Sequence, residues 1–289
     1  MGTTSGSKDR PNVMKFLEAQ EAQAPIEVDL SWILFGHADE VFTFSPVESK
    51  RGWVMMVNDP LLGLKVLENA SSTDEKAQVV SRPKLPDDRK EPFNHTISEL
   101  IGKASFKKFQ EQCAEAITAC IDTLKRETGL EDAEIIRLPA VFRDKGEPLR
   151  RPQQPRRSAR AAKQDAAVPD ETLAPHTSLE NLKNHKRDFT RLQRRAISLY
   201  STTANIVLLS GNQILASKPW GPVINGTDMM ETAVTAAYAK AGYTVRFVDD
   251  MDTVHPSYGN IHCASNVIRD WTTSAAWWKT EGPLLQCSR

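Results

Sequence analysis

The segment from Lys145 to Arg195 limits what the rest of the chain can fold into, because it has few large apolar residues. It holds 13 basic and 6 acidic side chains, a net charge of +7, and five prolines. Ordering its backbone would cost about 1–2 kcal/mol per residue, and so little apolar surface cannot offset that cost. We therefore predict a disordered basic insertion over 145–195 within one domain, whose body comprises 12–144 and 196–280.

The charge balance supports this division of the chain. The whole sequence has 37 basic and 37 acidic residues, so the 238 residues outside the insertion carry a net charge of −7. No apolar run approaches the roughly 18–20 residues that cross a bilayer, and the first ten residues lack the apolar part of a secretion signal. We expect a soluble cytoplasmic protein without membrane contact.

Outside the insertion, the hydrophobic spacing predicts a mixed α/β body. The segment 71–94 is polar and rich in proline, so we expect a loop there. Strands are expected over 26–35, 41–44, 52–57, 204–209, 213–216 and 244–248, and helices over 12–23, 60–69, 97–128 and 228–242. The helix over 12–23 is expected to have Val13, Phe16 and Leu17 on one face. The helix over 97–128 places Cys113 and Cys120 on its apolar stripe, which indicates small core side chains.

A candidate reactive thiol lies in the segment from Asp249 to Asn266. Cys263 follows Gly259 on a loop, a setting that suits a nucleophile better than a core stripe does. A reactive cysteine needs an acid/base partner. His262 is the poorer candidate, because neighbouring side chains on extended backbone point to opposite faces. His37 and Asp39 are two residues apart and would share a face of an extended segment, although spacing alone is a weak signal.

Three separated motifs make a more specific case. They are WILFGHADEVFTF over 32–44, KPWGPVING over 218–226, and HPSYGNIHCASN over 255–266, followed by Trp277-Trp278-Lys279. In this order they resemble the C-terminal catalytic domain of protein-arginine deiminases. The resemblance runs from about Asn12 to Thr280 and is interrupted by the basic insertion.

The resemblance implies a pentein-type αβ-propeller, of which this chain supplies about three of five units. It implies hydrolysis of peptidyl arginine in protein substrates to citrulline and ammonia, with Cys263 as the nucleophile that attacks the guanidinium carbon. His37 corresponds to the acid/base that protonates departing ammonia and then activates water. Asp39 corresponds to one of two carboxylates that bind the guanidinium nitrogens, as bidentate carboxylates do.

The resemblance also implies calcium as a cofactor, with ligands and the second substrate carboxylate upstream of this chain and no metal ligand within it. Three positions depart from the family pattern, because Ser257 and Tyr258 stand where the family has Arg and His, and Asn260 replaces a common Glu. The alternative function is a catalytically impaired remnant whose basic insertion acts as an interaction segment. Nucleic acid is an unlikely partner for that segment, since a solvated loop without a partner is the simpler interpretation.

The other polar and aromatic residues are expected to be structural or solvated. Asp249, Asp250 and Asp252 lack the spacing of a calcium loop and are expected to form a solvated turn. His255 is weighed as structural, and Trp277 and Trp278 as core residues. Solvent-exposed side chains are expected at His95, His176, His185 and Cys287.

Overall fold

The computed structural model describes residues 2–3, 12–21, 24–83, 95–145 and 195–268. The interior of the basic insertion, His176, His185, Trp277, Trp278 and Cys287 therefore lie outside the described residues. Among the helices that are described, none combines the length and the apolar character needed to cross a bilayer.

The described residues form a mixed α/β structure built on several small sheets. The helices are α1 (Asn12–Glu18), α2 (Pro60–Thr73), α3 (Ile97–Ile101), α4 (Ala104–Thr128) and α5 (Met229–Ala239). The strands are β1 (Gly2–Thr3), β2 (Val28–Asp29), β3 (Phe42–Pro46), β4 (Trp53–Asp59), β5 (Ile135–Pro139), β6 (Phe142–Asp144), β7 (Ala196–Ser198), β8 (Val207–Leu209), β9 (Gln213–Ser217), β10 (Val223–Ile224), β11 (Thr227–Asp228) and β12 (Thr244–Val248).

Two three-stranded sheets share one topology. Strands β3 and β4 are antiparallel, and the chain then passes through α2, α3 and α4 to β5, which pairs with β4 in parallel. Strands β8 and β9 form an antiparallel pair, and the chain returns through α5 to β12, which pairs with β9 in parallel. A parallel pair needs such a crossover. The described part of the chain thus contains two units with the order strand, strand, helix, strand, and no closed barrel is formed by them.

Local sequence signals determine most helix ends. Asp59 caps α2 by accepting hydrogen bonds from the amides of Leu61 and Leu62, with Pro60 at the first helical position, as predicted. Asp228 caps α5 in the same way. Gly129 ends α4 with φ of 66°, a conformation that glycine adopts without a steric penalty.

Three helix predictions need correction. The predicted helix over 97–128 is two helices, because the chain leaves helical geometry at Lys103 after the Thr96 capping box has started α3. Helix α2 extends to Thr73, into the segment predicted as a loop. In α1 the buried side chain is Met14, whereas Val13 and Phe16 are exposed; the apolar face predicted for this helix was therefore wrong.

The core lies between the helices and the two sheets. Cys113 and Cys120 are buried on α4 as predicted, and burial raises the pKa of the Cys120 thiol to about 12. His95 is also buried, so the prediction of a solvated side chain was wrong. It follows the polar segment that the sequence assigned to a loop, and its backbone carbonyl accepts a hydrogen bond from the Val79 amide.

The contact between α2 and the chain after β5 leaves no room for a side chain at Gly63. A Cβ atom there would lie 1.9 Å from the backbone oxygen of Ala140. We expect Gly63→Ala to lower the free energy of unfolding by about 1–3 kcal/mol through overpacking, although alanine has the higher helix propensity. Urea denaturation would measure the change. Ser72→Ala, on the exposed side of the same helix, should change stability by less than about 0.5 kcal/mol, and equal effects would contradict the prediction.

Candidate active site

A short buried segment lies at the centre of the site. Residues 201–205, between β7 and β8, are all buried, and we call them the central strap. Buried polar groups generally require partners, and three of its four polar side chains are bonded to the elements on either side. The hydroxyl group of Thr203 has no partner among the described residues. Ser201 donates to Asp250 (2.8 Å), and Thr202 accepts from Asn58 (2.7 Å). The strap therefore joins the first sheet to the loop that carries Cys263.

Asn205, the last residue of the strap, connects the predicted site residues. Its side-chain nitrogen donates to Asp39 Oδ2 at 2.7 Å and lies 3.4 Å from Cys263 Sγ. Its side-chain oxygen accepts from the backbone amide of His262 at 2.9 Å. Asn205 is fully buried, so these bonds replace the hydrogen bonds that its amide group would make to water. One amide thus holds Asp39 beside the candidate thiol, although 224 positions separate the two in sequence.

Asp39 has a second partner, His262, whose side chain the sequence predicted to point away from the site. His262 Nδ1 lies 3.1 Å from Asp39 Oδ2. The extended backbone assumed for this segment was wrong, because residues 261–264 form turns. His262 and Cys263 therefore both lie near Asp39. This arrangement places one carboxylate, one imidazole and one thiol around a partly exposed space.

His37 belongs to the same motif as Asp39, the one over 32–44. Its backbone is extended, but Ala38–Glu40 form a 3-10 turn, so the extended face predicted to be shared with Asp39 is absent. Its ring Nδ1 lies 3.5 Å from Glu40 Oε1. Among the described residues, no hydrogen bond joins His37 to Cys263, and the role of His37 as acid/base stays a prediction.

The loop before Cys263 is anchored by buried polar groups. Asp250 is 2% exposed and accepts hydrogen bonds from Ser201 and Ser217, and burial raises the pKa of its carboxyl group. Ser217 also accepts from the Ile261 amide (3.1 Å), and Asn260 accepts from the Thr202 amide (2.9 Å). The solvated turn predicted for the acidic cluster was therefore wrong for Asp250.

The loop also needs Gly259. A Cβ atom at this position would meet Val254 Cγ1 at 2.8 Å and Cys263 Cβ at 3.4 Å. The close approach of backbone to Cys263 that the sequence indicated is therefore present, at its Cβ atom. Tyr258, with φ of 62°, packs on Phe35 (ring centroids 5.5 Å apart), and Phe35 lies 6.1 Å from the His37 ring. These exposed aromatic rings border the site.

The acidic residues of the loop are bound to separate partners and do not converge on a cation. Asp249 accepts from the Trp220 indole nitrogen (3.0 Å), Asp252 pairs with Arg82, and Asp250 holds two serines. Within the described ranges, no group of three or more His, Cys, Asp or Glu side chains is placed to hold a metal ion. These residues do not fit a calcium site, and calcium stays a prediction.

The sequence alone did not single out Asn205 or Glu40. Asn205 stands at the start of a predicted strand, in a polar run Ser-Thr-Thr-Ala-Asn that precedes an apolar one. Four of the five residues of that run are polar and the fifth is alanine. Such a run inside a core-forming region is the signal that could have indicated a buried hydrogen-bonding segment.

Comparison with known proteins agrees with the three motifs. The sequence profile of the family described as protein-arginine deiminase (PAD) matches residues 2–279. The chain is 23% identical to human protein-arginine deiminase type-3 over 95% of its own length and 34% of the relative. It is 26% identical to the rat type-4 protein over 96% of the chain and 34% of the relative, and 25% identical to the human type-1 protein over 92% and 32%. The chain thus spans about a third of the length of these relatives.

The buried carboxyl group of Glu40 should give stability a distinct pH dependence. Burial, and then the neighbouring charge of Asp39, raise its pKa from 4.5 to about 7. The folded chain therefore retains a proton that the unfolded chain releases, and stability falls as the pH rises from about 4.5 to about 7. We expect Glu40→Gln to remove this loss, a difference of about 3 kcal/mol at about 1.4 kcal/mol per pKa unit.

Urea denaturation of both proteins at several pH values would measure this difference. Glu48→Gln, at an exposed position, serves as the control and should follow the original chain at every pH. Parallel stability curves for the original chain and Glu40→Gln would show that Glu40 does not retain its proton in the fold.

Proposed function

Because this chain belongs to the protein-arginine deiminase family, we propose that it hydrolyses arginine side chains of proteins to citrulline and ammonia. The observation that carries the proposal is the Asn205 amide, which bonds Asp39 and lies 3.4 Å from Cys263 Sγ. Two residues that match the family's motifs, and that come from distant parts of the sequence, are thereby held together.

Asp39 is suited to bind the substrate cation. Its side chain is about one-third exposed, so a guanidinium group can reach it. A planar cation with several N–H donors is best bound by a carboxylate, which accepts two parallel hydrogen bonds. The Asn205 amide donates to Asp39 and lies 3.4 Å from Cys263 Sγ, which supports binding of the guanidinium group with its carbon near the thiol.

The reaction then proceeds in two steps on Cys263. The thiolate attacks the guanidinium carbon, a C–S bond forms, and one C–N bond breaks as that nitrogen takes a proton and leaves as ammonia. Water then attacks the same carbon of the thiouronium intermediate, and the C–S bond breaks to give citrulline, the free thiolate and two protons. One of these protons returns to His37 and the other passes to solvent. His37 supplies the first proton and removes one from the water, which is general acid and base catalysis by one group.

The surroundings of Cys263 support a role as nucleophile. The thiol is exposed, whereas Cys113 and Cys120 are buried. The N–H donor of Asn205 points at sulfur, and a hydrogen bond to a charged group stabilises it more than a neutral bond would. Cys263 is thus the described cysteine that a substrate can reach.

Selective labelling tests whether the site recognises a cation. 2-Chloroacetamidine is a positively charged alkylating agent, and 2-chloroacetamide is its neutral counterpart of nearly the same shape. We expect the amidine to label Cys263 at least about tenfold faster than the amide, relative to their rates with free cysteine, because about 1.4 kcal/mol of selective binding gives a tenfold difference. Mass spectrometry of tryptic peptides would measure the rates.

Asp39→Asn should abolish the preference for the cation while leaving the thiol reactive toward the neutral reagent. Cys287 serves as the internal reference thiol. If the amidine and the amide label Cys263 at the same relative rate in the original chain, the proposed cation site is absent.

Direct measurement of citrulline tests the reaction itself. A peptide with one internal arginine and blocked ends is incubated with the chain, with and without calcium, and ureido groups are quantified by colour formation. We expect release that Cys263→Ala abolishes and that Cys287→Ala leaves unchanged, because the thiol forms the covalent intermediate. Release that survives Cys263→Ala would contradict the mechanism.

A further inference from the structure

A small cavity lies between the first motif of the site and the loop that precedes Cys263. Glu40, His255, Tyr258 and Asn260 are among the residues that line it. The space open to the centre of a water molecule is about 10 Å³, close to the volume that a single buried water needs.

Two polar atoms on residues that line this cavity have no hydrogen-bond partner within the described residues. They are Glu40 Oε1 and His255 Nδ1, and both atoms are buried. Glu40 is 8% exposed, and its Oε1 lies 3.5 Å from His37 Nδ1, at the limit of a hydrogen bond. A buried polar atom without a partner destabilises the fold, so a water that bonds both atoms would be strongly favoured.

We propose that one buried water in this cavity bonds Glu40 to His255 and that Glu40 accepts a hydrogen bond from His37 Nδ1. The three side chains then form one hydrogen-bonded network, which we call the relay. The proposal rests on the proposed function, in which His37 is the acid/base. Glu40 and His255 are then positioning residues, since neither touches the substrate.

The relay assigns each proton of His37 to an atom. Nδ1 faces Glu40, so the proton on Nδ1 stays between the imidazole and the carboxylate. The proton given to departing ammonia leaves from Nε2, and the proton taken from the attacking water returns to Nε2. No net proton passes to Glu40 in this cycle. The carboxylate keeps the ring in one orientation and stabilises the imidazolium, which is the role of a carboxylate behind a catalytic histidine.

The charges around the cavity are consistent with this assignment. Burial, followed by Asp39, raises the pKa of Glu40 to about 7. Burial, followed by the positive charge of Arg143, lowers the pKa of His255 to about 4. Tyr258, the remaining titratable group that lines the cavity, bonds to Arg143. His255 therefore stays neutral near pH 7, where Glu40 titrates, and its neutral ring can accept or donate one hydrogen bond to the water.

The separation of these two pKa values makes His255 a reporter of the relay. In the 15N-labelled chain, the ring nitrogens of His255 are followed by NMR between pH 3 and pH 9. We expect two steps in their chemical shifts, one near pH 4 from the ring itself and one near pH 7 from Glu40, transmitted through the shared water. The step near pH 7 should disappear in Glu40→Gln and persist in the exposed control Glu48→Gln.

Two outcomes would overturn the proposal. A single step near pH 4 in the original chain would show that Glu40 and His255 are not connected. A step near pH 7 that persists in Glu40→Gln would show that Glu40 is not its source. If Glu40→Gln does not fold, His37→Gln decides instead: the step near pH 7 should persist in it when Glu40 is the source, and its loss would overturn the proposal. The measurement uses no substrate, so a failed relay leaves the proposed deiminase reaction standing, and an inactive chain leaves the relay testable.

Discussion

The site depends on one constraint, which is that Ser201, Thr202 and Asn205 of the buried central strap are bonded to protein. Residues 201–205 run through the interior, where water cannot satisfy an amide or a hydroxyl group. Ser201 and Thr202 bind the loop before Cys263 and the strand β4, and Asn205 binds Asp39 and the His262 amide. The same bonds that make the strap stable therefore set the position of the carboxylate relative to the thiol.

The two repeated units explain how distant motifs reach this strap. Each unit is an antiparallel strand pair followed by a helical crossover to a parallel strand. The first unit begins at the His37 motif, and the second ends where the Cys263 loop starts. Such units agree with the αβ units of a pentein fold, which family membership favours. The described residues form open sheets, so the predicted propeller of five units stays a prediction.

The sequence predicted the local elements well wherever a single residue type decides the geometry. Capping by Asp59 and Asp228, the left-handed end at Gly129, and the turn between β8 and β9 all depend on neighbours in sequence. It predicted the exposure of polar residues poorly. Asp250 and His95 are buried, because hydrogen bonds from other elements replace their water, and a polar side chain carries no sign of this in its own neighbourhood. The break between α3 and α4 was also not predicted, because the apolar spacing continues across it.

The sequence by itself determined the family, the mixed α/β class, and the candidate residues His37, Asp39 and Cys263, since these follow from ordered motifs and hydrophobic periodicity. Tertiary structure alone decided which of these residues meet. Asn205 links Asp39 to Cys263, His262 contacts Asp39 from a turn, and Glu40 lies buried against His37. Hydrogen bonds between distant segments depend on where the chain packs, and periodicity in the sequence describes only which face of each element is buried.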